Sequence, residues 1–226
     1  MDFTQAAAIL ASRSQDAARQ CECAGVRALE CEPDPPPPPP PPASLRAMPR
    51  AALLRVLLQQ QEARVRQYRL FEEGFALFLQ VADEAQGYEA LVASSTAAFA
   101  EISAAVVHVE EELRERAGAG GGPEASAFDA SARLVRRIQE LEREKLSLTA
   151  QLQIVRHGIA IDQLRQSAVE DAGEEEAGLL ARERQAAALR QDEAAELTGK
   201  LARLVEELND ALDDVRCELA DADDAD

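Results

Sequence analysis

The positions Tyr88, Val92, Ser95, Phe99, Ile102, Val106, Val109 and Leu113 are separated by alternating steps of four and three residues. That spacing holds a stripe on one face of an α-helix and averages the 3.5 residues of a heptad seam. Leu134, Ile138, Leu141, Lys145, Leu148, Leu152 and Val155 repeat the alternation, as do Leu201, Val205, Leu208, Leu212, Val215 and Leu219. A looser three-or-four spacing places Leu54, Leu58, Gln61, Val65, Tyr68, Phe71, Phe75 and Phe78 on one face of a further helix over 50–80. Each helix is about 30 residues or more, roughly 45 Å, and carries a single apolar stripe, so each needs a partner. Short connections favour antiparallel neighbours. The expected fold is all-α, an elongated antiparallel helical hairpin or bundle with coiled-coil character. Composition agrees, since 4% aromatic residues and no Trp leave little for a wide globular core.

The pattern sets the domain bounds. Residues 1–49 read as a disordered leader, 50–220 as the helical domain and 221–226, DADDAD, as an acidic tail with no apolar residue to hold it. The leader ends in eight consecutive prolines, 35–42, expected to form a polyproline II rod of about 25 Å. Such a rod serves as a stiff spacer or as a ligand for a proline-binding domain. Within the domain, AGAGGGP ends the helix that Tyr88 opens, Gly158 sits where a helix C-terminus favours a left-handed glycine, and VEDAGEEEAG, 169–178, reads as a connection.

Charge excludes one class of function. The net charge is −18, and residues 169–226 alone contribute −13, with 19 acidic and 6 basic side chains. A chain without a basic stripe lacks the electrostatic term behind most nonspecific DNA affinity, so no direct nucleic-acid binding is expected. From Glu206 onward ten carboxylates face one basic residue, Arg216. That end either solubilises a helix or attracts basic proteins. The N-terminus does not resemble a secretory signal and no window reads as a membrane span, so neither secretion nor a membrane is expected.

No catalytic constellation emerges, and the chain is not expected to be an enzyme. His108 and His157 have no nucleophile nearby in sequence, and GAGGGPEAS lacks the lysine and hydroxyl of a phosphate-binding loop. Adjacent carboxylates such as Glu72-Glu73 point about 100° apart on a helix and do not converge on one bond. Cys21, Cys23 and Cys31 offer three thiolates without a fourth ligand nearby, and Cys217 stands apart. Ordinary free thiols are expected, with no metal and no cofactor.

The stretch YRLFEEGFALF, 68–78, holds four of the eight aromatic residues. The spacing of Tyr68, Phe71, Phe75 and Phe78 places their rings on one helical side, so they are expected in a core rather than stacked on bases. Gly74 lies among them, and a helical glycine costs about 1 kcal/mol relative to alanine, which predicts that another helix crosses closely there.

This stretch, with YEALVASSTAAFAEISAAVVHVEEEL, ARLVRRIQELEREKLSLTAQLQIVRHG and LARLVEELNDALDDVRCEL, resembles the "required for excision 1-B" family of DNA-repair proteins over most of 50–220. The resemblance rests on leucine periodicity, the Leu70-x-Glu72-Glu73-Gly74 step, Tyr88 at the start of its helix and Gly158 closing another. Tyr68, Phe71, Phe75 and Phe99 are the packing residues that accompany these features. What the resemblance implies is a nuclear role in excision repair; apart from it the chain reads as cytoplasmic. With the charge, it points to a noncatalytic factor acting through protein partners, repair factors among them, or through homo- or hetero-oligomers formed by its seams. The alternative is a structural coiled-coil component of cytoskeleton or cilium.

Overall fold

A computed structural model describes residues 40–80, 85–169 and 177–223, and among these every regular element is helical. The elements are α1 (Pro42–Leu45), α2 (Arg50–Gln80), α3 (Ala85–Ala119), α4 (Pro123–Val169) and α5 (Ala177–Asp223). The all-α expectation holds. Most of the polyproline run and Cys21, Cys23 and Cys31 lie outside the described residues.

Proline and glycine punctuate the chain for identifiable reasons. Pro41 is extended (φ −63°, ψ 147°), and Pro42 begins α1, where a missing N–H leaves no hydrogen bond unmade. Gly122 has φ +83°, a conformation that an L side chain resists, and Pro123 follows at once as the first residue of α4. The connection between α3 and α4 is therefore only three residues long, shorter than the spacing of the seams suggests.

The described residues fall into two compact units. The first contains 59–80 and 85–102, and the second contains 40–58, 103–169 and 177–223. In the second, the start of α2, the end of α3, the first half of α4 and the last half of α5 share one core. Leu53, Leu54 and Leu57 meet Val106, Val109 and Leu113, with Val135 and Ile138 from α4 and Leu208 and Val215 from α5. Burying a side chain of this size contributes about 2 kcal/mol, which is why this part of the chain is a bundle. In the first unit α2 and α3 run antiparallel, as Tyr68 against Phe99 and Phe75 against Tyr88 require.

Several sequence-based boundaries and registers are corrected. Gly158 does not end a helix, because α4 continues eleven residues beyond it to Val169, and Gly122 alone among the described glycines has a positive φ. Arg190 of α5 lies alongside: a Cβ added at Gly158 would sit 3.2 Å from Arg190 Cδ and 3.3 Å from Nε. Arg190 also pairs with Asp162, one turn further along α4. Its side chain is partly exposed and can swing aside. Gly158→Ala is therefore expected to raise stability by about 0.5 kcal/mol through helix propensity, read as a small shift in a denaturation midpoint.

The leader and tail are also shorter than their sequences suggest. Leu45 is buried in the second unit's core, so residues 40–49 pack rather than trail. At the other end α5 reaches Asp223: Ala222 is buried and Asp223 pairs with Arg55 at 2.5 Å. Residues 224–226 lie outside the description.

The seam registers shift where alanine or arginine displaces a larger apolar residue. On α2, Val65 is 47% exposed while Arg64, one residue away, is 3% exposed. On α5 the buried positions among the described side chains are Ala187, Leu197, Leu204, Leu208, Ala211, Val215 and Ala222, so Val205 and Leu212 sit outside the innermost line. One residue is a 100° turn of the helix, and small alanines admit a close neighbour that leucine would hold off.

The expectation that no segment reads as a membrane span also needs correction. Gly87–Ala119 is long and apolar enough by length and composition, with a mean hydropathy of 1.6 over 18 residues, of which 22% are buried. Alanine and valine raise that mean even though serines and a threonine interrupt the run. Phe99, Val106, Val109 and Leu113 of this helix are committed to the protein interior.

Candidate interaction surfaces

The first unit is built around its rings. Tyr68 lies 4.6 Å from Phe99 between ring centres, Phe71 meets the same ring edge-on at 6.4 Å, and Phe78 stacks on Tyr88 at 4.9 Å. Phe75 is fully buried and lies 5.8 Å from Tyr88. Tilted and edge-on pairs at these separations add about 0.5–1.5 kcal/mol each beyond the area they bury. Phe71, Phe75 and Phe99 are buried in this cluster, while Tyr68, Phe78 and Tyr88 are half-buried at its edge.

Gly74 explains how α2 and α3 come so close. A Cβ there would lie 2.7 Å from Leu91 Cδ1 and 3.1 Å from Cδ2, so the glycine is the space that the buried Leu91 occupies. Leu91 is the residue that the seam Tyr88, Val92, Ser95 passes over. Its signal was available in part, as a leucine three residues after Tyr88 and on the same side of the helix.

The remaining motif residues divide. Glu72 and Glu73 are exposed, and Leu70 is 57% exposed, so this part of the step points outward while Phe71, Gly74 and Phe75 point in. Gly158 belongs to the other unit and shares no cluster with them.

Tyr88 carries a titratable consequence. Burial pushes its phenol above the ordinary value, because the phenolate would lose hydration among rings. A raised folded-state pKa means that this contribution to stability is full below the unfolded value of about 10 and is lost as pH rises through the folded value. Melting temperatures of the wild type should therefore fall relative to Tyr88→Phe above about pH 10, with a constant difference between them at neutral pH.

In the second unit the polar side chains are organised around Arg116 and Glu110. Arg116 Nε donates to Glu112 Oε1 at 2.7 Å, Nη1 donates to the Met48 carbonyl at 2.5 Å, and Nη2 donates to the carbonyls of Arg46 at 2.6 Å and Leu45 at 3.1 Å. Its guanidinium also lies 5.5 Å from the centre of the Phe128 ring. The planar fork suits several acceptors at once, and here it closes the carbonyl end of α1. Glu110, nearly buried, accepts from Gln139 Nε2 at 2.7 Å and pairs with Arg114 at 2.8 Å. Sequence gives little signal for Arg116, since its partners are backbone atoms about 70 residues away.

Chemical candidates stay apart. His108 Nδ1 lies 3.2 Å from Glu111 Oε2 on an exposed turn, and His157 lies inside α4 rather than near a helix end. Cys217 is an exposed free thiol.

The chain was compared with known proteins. Residues 52–156, a little under half of the chain, match the model of the family described as DNA repair REX1-B. Neither a curated protein nor a solved structure shows significant similarity. The matched segment runs from the start of α2, through the ring cluster and the Arg116 network, to just short of Gly158.

Proposed function

We propose that this chain is a noncatalytic helical factor that assists excision repair in the nucleus by binding protein partners, because residues 52–156 match the model of the family described as DNA repair REX1-B. The family assignment carries the process. The inward commitment of Phe71, Phe75 and Phe99 supports the mode, since these three rings are used for packing rather than held out for bases to stack on. The net charge of −18 supports it further: contacts with phosphate would be repulsive, whereas a basic surface on another protein would be attracted.

The test is affinity purification of the tagged chain before and after ultraviolet damage, together with lesion removal in a deletion strain. Recovery of repair factors and delayed removal are expected. Normal removal with no repair factor recovered overturns the reading, and filament or axoneme localisation with an empty nucleus would replace it with a structural coiled-coil role.

A further inference from the structure

Two heptad-spaced stripes flank a groove on the second unit that the bundle core does not fill. On α4 the stripe is Ala130, Arg133, Leu134 and Arg137, and on α5 it is Asp214, Cys217, Glu218 and Asp221. Both follow the i, i+3, i+4, i+7 order of one helical face over two turns. They lie beside the positions that face inward, Val135 and Ile138 on α4 and Ala211 and Val215 on α5. The groove is open to solvent and offers about 440 Å³, with Ala130, Leu134 and the exposed Cys217 as its least polar lining.

The charges of its banks are not all paired among the described residues. Arg133 pairs with Asp129 at 2.7 Å, and Glu218 accepts from Arg50 at 2.5 Å. Among the described residues no ion pair engages Arg137 on one bank or Asp214 and Asp221 on the other. Among the described residues the groove therefore combines apolar surface at Ala130 and Leu134 with the unpaired charges of Arg137 on the α4 side and Asp214 and Asp221 on the α5 side.

We propose that this groove docks one amphipathic helix of a protein partner. Its apolar stripe rests on Leu134 and Cys217, its basic flank lies against Asp214 and Asp221, and its acidic flank lies against Arg137. Helix-in-groove recognition uses anchors at this spacing, and rim charges of opposite sign fix which way round the helix lies. A second copy of this chain is the wrong occupant electrostatically. The α5 bank continues into Glu206, Glu207 and Asp210, and each copy already carries −18. The proposal rests on the protein-partner reading above and names the surface through which it acts.

A photo-crosslinking amino acid placed at position 133 of the full chain, on the rim, leaves Leu134, Arg137, Asp214, Cys217 and Asp221 intact. After irradiation in cells, the crosslinked peptide is identified by mass spectrometry, synthesised, and titrated against the purified full chain. The expected peptide has apolar residues three, four and seven apart with basic and acidic flanks. Its affinity should fall about tenfold for Arg137→Glu, and again for Asp214→Lys with Asp221→Lys. A peptide with its two flanks exchanged should recover binding to the triple variant, and unchanged circular dichroism melting shows that the variants fold.

Crosslinks to a second copy, to nucleic acid or to no defined helix overturn the proposal, as does binding indifferent to the charge reversals. If damage-dependent recovery of repair factors persists in the triple variant, the groove is wrong and the function stands. If the captured helix belongs to a protein outside repair, the groove stands and the function is wrong.

Discussion

Gly74→Leu should destabilise the first unit by about 3 kcal/mol, the upper part of the range for forcing volume into a packed interior. The added branch has to enter space that Leu91 already fills, because even a Cβ would lie 2.7 Å from Leu91 Cδ1. At about 2–4 °C per kcal/mol for a chain of this size, the melting temperature should fall by roughly 6–12 °C. Gly74→Ala is a different experiment. The contact it makes is with the far end of a leucine, and helix propensity returns about 1 kcal/mol, so its effect should be small. Adding Leu91→Ala to Gly74→Leu should recover more than about 1 kcal/mol, since neighbouring sites that compete for one volume are coupled. An unchanged melting temperature for Gly74→Leu would show that α2 and α3 do not need this close approach.

Arg116→Ala should cost about 3 kcal/mol, by a different mechanism. Removing the guanidinium leaves Glu112 as a largely buried carboxylate without its cation and strips donors from the carbonyls of Leu45, Arg46 and Met48. The damage should be local before it is global. Residues 40–49 lose their tie to α3, so Leu45 leaves the core more readily and protease cleavage between Pro40 and Pro49 accelerates. Arg116→Lys should retain part of the Glu112 pairing but not the three carbonyl bonds, because an ammonium cannot spread its donors across a planar fork. Equal cleavage rates for wild type and Arg116→Ala would show that Leu45 alone anchors the segment.

These two residues mark opposite ends of what the sequence makes legible. Gly74 stands out locally, as a glycine inside an aromatic helical stripe, and that oddity is enough to predict a close neighbour. Which residue occupies the space is not legible, because the heptad line from Tyr88 passes through Val92 and leaves Leu91 to one side. Arg116 gives only one local signal, the Glu112 four residues earlier, and none of its carbonyl partners. Its side chain is one of six arginines and lysines in 51–120, and its role depends on the carbonyls of Leu45, Arg46 and Met48, which lie beside it because Leu45 and the start of α2 share a core with the end of α3.

The groove between α4 and α5 is intermediate. Leu134 is visible as the first member of a seam, and the acidic end beginning at Glu206 is visible as charge. Neither indicates that Arg137 and Asp214 line one groove, since that depends on the pairing of two helices about 80 residues apart.

The sequence by itself determined that the described chain is helical, where most of its helices lie, that Phe71, Phe75 and Phe99 belong inside, and which family its first helices resemble. Period and propensity act within one or two turns, so they can be read one helix at a time. Tertiary structure alone decided which side of each helix is innermost: Arg64 over Val65, Leu204 over Val205, Ala211 over Leu212. It also decided that α4 runs through Gly158 and that Asp223 remains helical. These choices depend on the shape and charge of the neighbouring helix, and a stripe of leucines specifies that a neighbour is needed without specifying its surface.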